Sequence, residues 1–367
     1  MDTPAAAGAP TIHPVVKPAD IIRGRLPRML ISGVDHNDYR TLDAEIKTIA
    51  DWAPAWCRMG DMHEALGDAA LAAGHRLSAG RAFERAALYH HIAQSVYFAD
   101  PAEKLRMQRR QRRLYGKAAP HLAPPATVID IPFQGFSFPG NLRLPAGTTP
   151  ARPAPVMLLT CGADSTKEEF HTLENEFLAR GVGTLSYDGP GQGATRELAP
   201  LRPDWEVVVA AVCDELERQP GVDAGRIGIW GRSYGGYAAP RAAQEPRIRA
   251  AISAGGCFDF GDLWDRFPAG VHEALGFGYG AKDYAEAKAI AETFTLKGVS
   301  IDCPLLVVHS GQDTVCPVEE SEKIAAVAGA KAEMVIFPDG NHVCDNIPYK
   351  VRPLMADWMA DKLGAGA

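Results

Sequence analysis

No stretch of this sequence is apolar for the roughly 20 residues that a membrane-spanning helix requires, so no such helix is expected. Positive charge is in deficit. Lys and Arg number 38 against 45 Asp and Glu, a formal net charge of −7, which argues against nucleic acid or an anionic membrane surface as partner. Paired cysteine spacings are missing too. The chain has seven cysteines (Cys57, Cys161, Cys213, Cys257, Cys303, Cys316 and Cys344), an odd number, and the expectation is that all are reduced thiols, most of them packed among apolar residues. The opening residues MDTPAAAGAPTIHP have neither a positive segment nor an apolar one. A secretory signal is therefore not expected, and the default location is the cytoplasm. No repeat of fixed period is visible. What is present is the composition of a globular protein: 46% hydrophobic and 23% charged residues in 367. A chain of that length can bury a large core without disulfides and has room for two domains.

Two halves differ in period. From about Asp43 to Leu122 the apolar residues recur three and four apart, as in helices. Gly80 and Pro101 read as breaks between them. KLRMQRRQRRLYGKAAPHL is a basic helix, read as a solvated face rather than an RNA-binding one in so acidic a chain. At Pro124-Pro125 the pattern changes, which divides the chain into a helical domain over 1–124 and a second domain over 125–367. TVIDIPF and NLRLPA are short β segments. PVMLLT, GTLSYD, RIGIW, IRAAISA, CPLLVVHS and AEMVIFP then read as strands, with helical stretches between and after them. Ser165 and Glu168 fit a capping box at the first of these helices. Such alternation predicts an α/β fold, a mostly parallel sheet covered on both faces, with its chemistry at the carboxyl ends of the strands.

The stretch IWGRSYGG carries the sharpest signal. Gly231-Arg232-Ser233-Tyr234-Gly235 lies between a strand and a helix, the context in which G-x-S-x-G forms a nucleophile elbow. The glycines let strand and helix pack closely while the serine hydroxyl points into the site. Serine needs a base to take its proton. Of the 11 histidines only His272, His309 and His342 follow Ser233. His342 falls in the loop after the last strand, and Asp313 in the loop after the strand before it. Ser233, Asp313 and His342 thus follow the order nucleophile, acid, base at strand carboxyl ends. Taken singly, Asp313 is a turn aspartate and His342 a loop histidine; the combined placement is what points to a triad. An oxyanion hole needs two backbone donors. Tyr234 N–H is one, and the loop Cys161-Gly162-Ala163-Asp164 supplies the other, Ala163 or else Asp164.

Other features carry less. Gly189-Pro190-Gly191-Gln192-Gly193 lacks the Lys-Ser/Thr of a phosphate loop and the spacing of a dinucleotide fingerprint, and reads as a structural turn beside the site. Cys316 and Cys344 flank Asp313 and His342 without a ligand set at zinc spacing, so no metal is expected. His90 and His91, adjacent on a helix, point in different directions, and one could face the site. Tyr97 and Phe98 read as core.

GRSYGG, HSGQDTVCP and GNHVCDN resemble the triad motifs of the α/β-hydrolase superfamily. CGADSTKEEF, SYDGPGQG and HRLSAGRAFERAALYHHIAQSVYFAD narrow the resemblance to carbon–carbon bond hydrolases with an N-terminal helical cap, the group of 2,6-dihydropseudooxynicotine hydrolase, and more distantly to fungal polyketide-shortening hydrolases. The likeness runs from about Asp51 to the carboxyl end and implies an eight-stranded catalytic domain, cleavage next to a ketone, no cofactor and a homodimer. It also implies an auxiliary acid shortly after the strand that follows the nucleophile helix. Here that region reads CFDFGDLWDRF, with no Glu, and Asp265 is the nearest positional match. The expected substrate is a small ketone or ester. A carboxylesterase or acyltransferase would use the same three residues. A non-catalytic binding protein on this scaffold would have no need of all three.

Overall fold

The computed structural model describes residues 18–365. Five helices come first: α1 (Pro18–Ser32), α2 (His36–Glu45), α3 (Ile49–Ala72), α4 (Arg76–Gln94) and α5 (Pro101–Ala118). Pro101 opens α5, where its missing N–H costs nothing, and the Asp100 side chain caps the turn. Gly80, read from sequence as a break, lies inside α4. A Cβ there would sit 2.6 Å from the His121 carbonyl oxygen, so its role is close packing and not termination. Among the described residues no helix is long and apolar enough to cross a membrane.

Strands and helices then alternate. β1 (Ala126–Phe133), β2 (Phe136–Arg143) and β3 (Ala154–Thr160) precede α6 (His171–Leu178) and β4 (Gly183–Tyr187). Next come α7 (Trp205–Leu216), β5 (Val222–Arg232), α8 (Tyr234–Ala242) and β6 (Ile248–Ala254). The short α9 (Phe260–Leu263), α10 (Ala269–Tyr279) and α11 (Tyr284–Ala291) lead to β7 (Leu305–Ser310). α12 (Glu319–Ala328), β8 (Ala332–Phe337) and α13 (Pro348–Leu363) complete the chain. The eight strands form one sheet in the order β1-β2-β4-β3-β5-β6-β7-β8. β2 pairs antiparallel with β1 and β4, and every other pairing is parallel. β2 begins five residues before the NLRLPA segment. Gln134 and Gly135, both at positive φ, close a two-residue hairpin that extends the ladder backwards.

Side chains alternate between two cores across the central strands. Val156 and Leu158 of β3 join Trp205, Val208 and Val212 of α7 on one face. Met157 and Leu159 join Phe177 of α6 and Met355 and Met359 of α13 on the other. Strands buried on both faces read as unbroken apolar runs, which is why they were legible. The expected capping box at Ser165 and Glu168 does not form. Ser165 Oγ donates to Glu169 (2.9 Å), Glu168 accepts from Gln111 of α5 (2.8 Å), and a 3₁₀ turn over Lys167–Phe170 delays α6 to His171. Contacts from the helical region have taken the capping groups.

The expectation of seven reduced cysteines is also corrected. Cys257 and Cys316 form a disulfide, with Cα atoms 5.5 Å apart. Cys257 follows β6 and Cys316 lies in the loop after β7, so neighbouring parallel strands bring together residues 59 apart in sequence. Cys57, Cys161, Cys213, Cys303 and Cys344 are free thiols.

Candidate active site

Ser233 stands between β5 and α8 at φ 56°, ψ −116°, a conformation that few side chains tolerate. Its N–H is anchored to the Ala254 carbonyl of β6 (2.9 Å). The flanking glycines are dictated by space. A Cβ on Gly231 would lie 1.9 Å from the Gly235 oxygen, and one on Gly235 would lie 2.3 Å from the Thr160 oxygen.

With the ring hydrogen on Nδ1, His342 donates to Asp313 Oδ2 (2.7 Å), and Nε2 is left to accept from Ser233 Oγ (2.9 Å). Asp313 is fully enclosed. Its Oδ1 accepts from the N–H groups of Val315 (2.8 Å) and Cys316 (2.9 Å). Burial alone would raise this carboxyl, yet His342 and the two N–H donors outweigh it and hold Asp313 below the usual range. The carboxylate therefore stays charged. The loop carrying His342 is strained as well, since Val343 and Cys344 both sit at positive φ (63° and 59°). Arg232 Nη2 ties the nucleophile turn to this loop through Asp345 Oδ2 (2.6 Å).

The loop after β3 runs alongside. A Cβ on Gly162 would lie 3.7 Å from Ser233 Cβ, which brings this loop close to the serine. Ala163 and Ser233 are both half-buried amid buried neighbours. The Ala163 carbonyl accepts from Arg196 Nη2 (2.6 Å), and the Cys161 carbonyl accepts from Gln192 Nε2 (3.0 Å). The glycine-rich turn that holds Gln192 thus buttresses this loop. Tyr234 turns its ring into an aromatic cluster with Trp205, Phe260 and Phe294, leaving only its backbone near the serine. This set can attack a carbonyl carbon and shuttle one proton.

Asp265 is not part of the set. Its side chain is 69% exposed, paired with Lys288 Nζ (2.7 Å) and accepting from Tyr284 Oη (3.1 Å) on the surface of α11. Lys288 holds its carboxyl low, opposite to what a proton donor needs. His309 is buried, with Nε2 against the Cys316 carbonyl (2.9 Å). His272 faces the Trp264 carbonyl (2.7 Å). Among the described residues no three His, Cys, Asp or Glu side chains cluster as a metal site would need.

Sequence reasoning missed a buried network beneath the site. Glu169 accepts from Arg28 of α1 (2.5 and 2.6 Å) and lies 3.4 Å from His91 of α4 and 3.6 Å from Arg232. His91 thus faces the catalytic half, while His90 faces Asp61 within the helices (3.2 Å). Despite its burial, Glu169 is held well below the usual carboxyl range by Arg28, His91 and Arg232. Two acids in succession after STK were its only trace in the sequence.

A family model of FrsA-like esterases matches residues 12–265, and one of the prolyl oligopeptidase family matches residues 208–366. The chain is 35% identical over 362 residues to 2,6-dihydropseudooxynicotine hydrolase of Paenarthrobacter nicotinovorans, covering 97% of this chain and 96% of that protein. It is 37% identical over 238 residues to hydrolyase poxO of Penicillium oxalicum, of which it covers 55%. The crystal structure of 2,6-dihydroxy-pseudo-oxynicotine hydrolase superposes with a TM-score of 0.86 at 32% identity, over 93% of this chain and 97% of that one. The AbyA5 structure, at 17% identity and a TM-score of 0.75, shares the fold over 95% of each chain.

Proposed function

The chain belongs to the α/β-hydrolases, in the family of the FrsA-like esterases and 2,6-dihydropseudooxynicotine hydrolase, and on that premise we propose that this hydrolase cleaves a carbon–carbon bond next to a ketone. One observation carries the proposal: the Ser233–His342–Asp313 relay occurs in a chain that aligns end to end, helical region included, with that hydrolase. Ser233 Oγ adds to the ketone carbon while His342 Nε2 takes its proton and Asp313 steadies the imidazolium. The oxyanion sits between the N–H groups of Tyr234 and Ala163. When the carbon–carbon bond breaks, the departing carbanion takes the proton from His342. Water, deprotonated by His342, then releases the acyl group from Ser233 as a carboxylic acid. The five N-terminal helices form a cap over the serine, with the domain boundary at residues 124 and 125. We take the protein as a cofactor-independent cytoplasmic homodimer, and sedimentation velocity tests the oligomeric state.

The FrsA-like match favours ester hydrolysis as a second reading. The two separate by product. Wild type and Ser233→Ala would be given an aryl ester, an aryl β-diketone and a pseudooxynicotine-like ketone, with mass spectrometry of the products. A carboxylic acid plus a carbon-protonated fragment, lost in the variant, is expected. Ester cleavage alone would move the chain to the esterases. Failure of a fluorophosphonate to label Ser233 would revive a binding-protein role.

A further inference from the structure

The loop that carries Ala163 does not hold its shape by itself. The next residue, Asp164, is buried, and its carboxylate is gripped by the helical region. Oδ2 accepts the Val96 N–H (3.0 Å), and Oδ1 lies 2.8 Å from Lys104 Nζ of α5. On the sheet side Arg196 reaches the same carboxylate (3.6 Å) and donates to the Ala163 carbonyl (2.6 Å). Lys104 also donates to the Gln94 carbonyl at the end of α4 (2.5 Å). One fully buried ammonium thus ties the last turn of α4 to the loop beside Ser233. Val96 sits at φ 62°, a costly conformation for a β-branched residue, and its N–H is aimed at Asp164. Strain held at the contact point, a lysine with no exposed surface and a buried aspartate exceed what simple adhesion between two regions needs.

We propose that the helical cap completes the oxyanion hole, with Lys104 and Asp164 as positioning residues that fix the Ala163 N–H relative to Ser233. The proposal rests on the triad reading given above. A donor displaced by a fraction of an ångström loses much of its value, because oxyanion stabilisation depends on prearranged geometry. Removing a donor outright costs about 10²–10³ in rate, so loosening one should cost roughly 10- to 100-fold. The clamp also has a built-in pH limit. Burial draws Lys104 down to about 8 against the pull of Asp164, while Arg196 and Arg25 add repulsion.

The test needs no natural substrate. Labelling of Ser233 by an alkyl fluorophosphonate would be timed in wild type, Lys104→Met and Lys104→Arg, with affinity for an aryl trifluoromethyl ketone measured alongside. Both probes place an oxygen in the hole. In Lys104→Met the maximal labelling rate should fall 10- to 100-fold, with half-saturation changed by less than about threefold and ketone affinity falling in step. Lys104→Arg should recover most of the rate and move the alkaline limb, near pH 8 in wild type, upward. Unchanged labelling in a folded Lys104→Met, or a slower rate with unchanged ketone affinity, overturns the proposal. If Lys104→Met fails to fold, Asp164→Asn is measured the same way. Failure of both to fold makes the cluster a folding element and overturns the positioning role. Should wild-type Ser233 itself resist labelling, or Ser233→Ala keep full esterase activity on para-nitrophenyl acetate, the triad reading falls, a result that does not depend on Lys104.

Discussion

The sheet coheres through apolar faces, whereas the helical region is joined to it largely through charge. Across β3 every residue is buried and alternates between two hydrophobic clusters. At the junction with the helices the half-buried Arg28 and the buried His91, Lys104 and Gln111 on one side meet the buried Asp164, Thr166, Glu168 and Glu169 on the other. Apolar burial is non-directional and tolerates sliding. Buried ion pairs and hydrogen bonds do not, because a misaligned partner leaves a charge desolvated and unpaired. The difference teaches that the sheet places Ser233, Asp313 and His342 while the junction fixes where the helical region sits against the sheet.

The sharpest way to break the comparison is inside the sheet's own relay. Ser233→Ala or Asp313→Asn should lower kcat on any accepted substrate by about 10⁴-fold or more, and Ser233→Ala should leave the melting temperature almost unmoved, as paired activity and calorimetry assays would read. Asp313 contributes stability of its own above the pKa of an unfolded aspartate, since its folded pKa is depressed, and loses it as pH falls through the folded value. Gly235→Ala reverses the emphasis. A Cβ 2.3 Å from the Thr160 oxygen has no room, so soluble yield and cooperative melting should be lost before activity can be measured.

The junction breaks differently. Glu169→Gln leaves Arg28, Arg232 and His91 facing a neutral amide, and should cost about 3 kcal/mol in urea unfolding. The folded pKa of Glu169 is strongly depressed, so its contribution is complete above about pH 4.3 and fades only in acid below that. The gap between wild type and Glu169→Gln should therefore narrow as pH falls, which unfolding at pH 7 and at pH 3 would reveal. The smallest effect is expected at Asp265→Ala, on neither the relay nor the junction, with kcat/KM within about twofold of wild type.

Much of this was legible in the chain. Central strands declared themselves as apolar runs, and Ser233, Asp313 and His342 each stood in a loop after such a run in a workable order. Asp265 misled because likeness of position in CFDFGDLWDRF says nothing about direction, and its side chain points to Lys288. Gly80 misled because close packing and chain termination call for the same residue. Cys257 and Cys316 could not be paired without knowing that β6 and β7 are neighbours. KLRMQRRQRRLYGKAAPHL was read as a solvated basic face, which holds for the exposed Arg106, Arg109 and Arg113 but not for Lys104.

By itself, then, the sequence determined the local matters: which segments are strands or helices, where the tight turn around Ser233 falls, and which side chains have the chemistry to serve it. Periodicity and turn chemistry act over a few residues and leave their mark there. Only the tertiary structure decided which charges meet, such as Lys104 with Asp164 and Arg28 with Glu169, across 60 and 141 positions of chain. Whether a lysine faces water or a carboxylate depends on the elements packed over it, and spacing along the chain does not encode that.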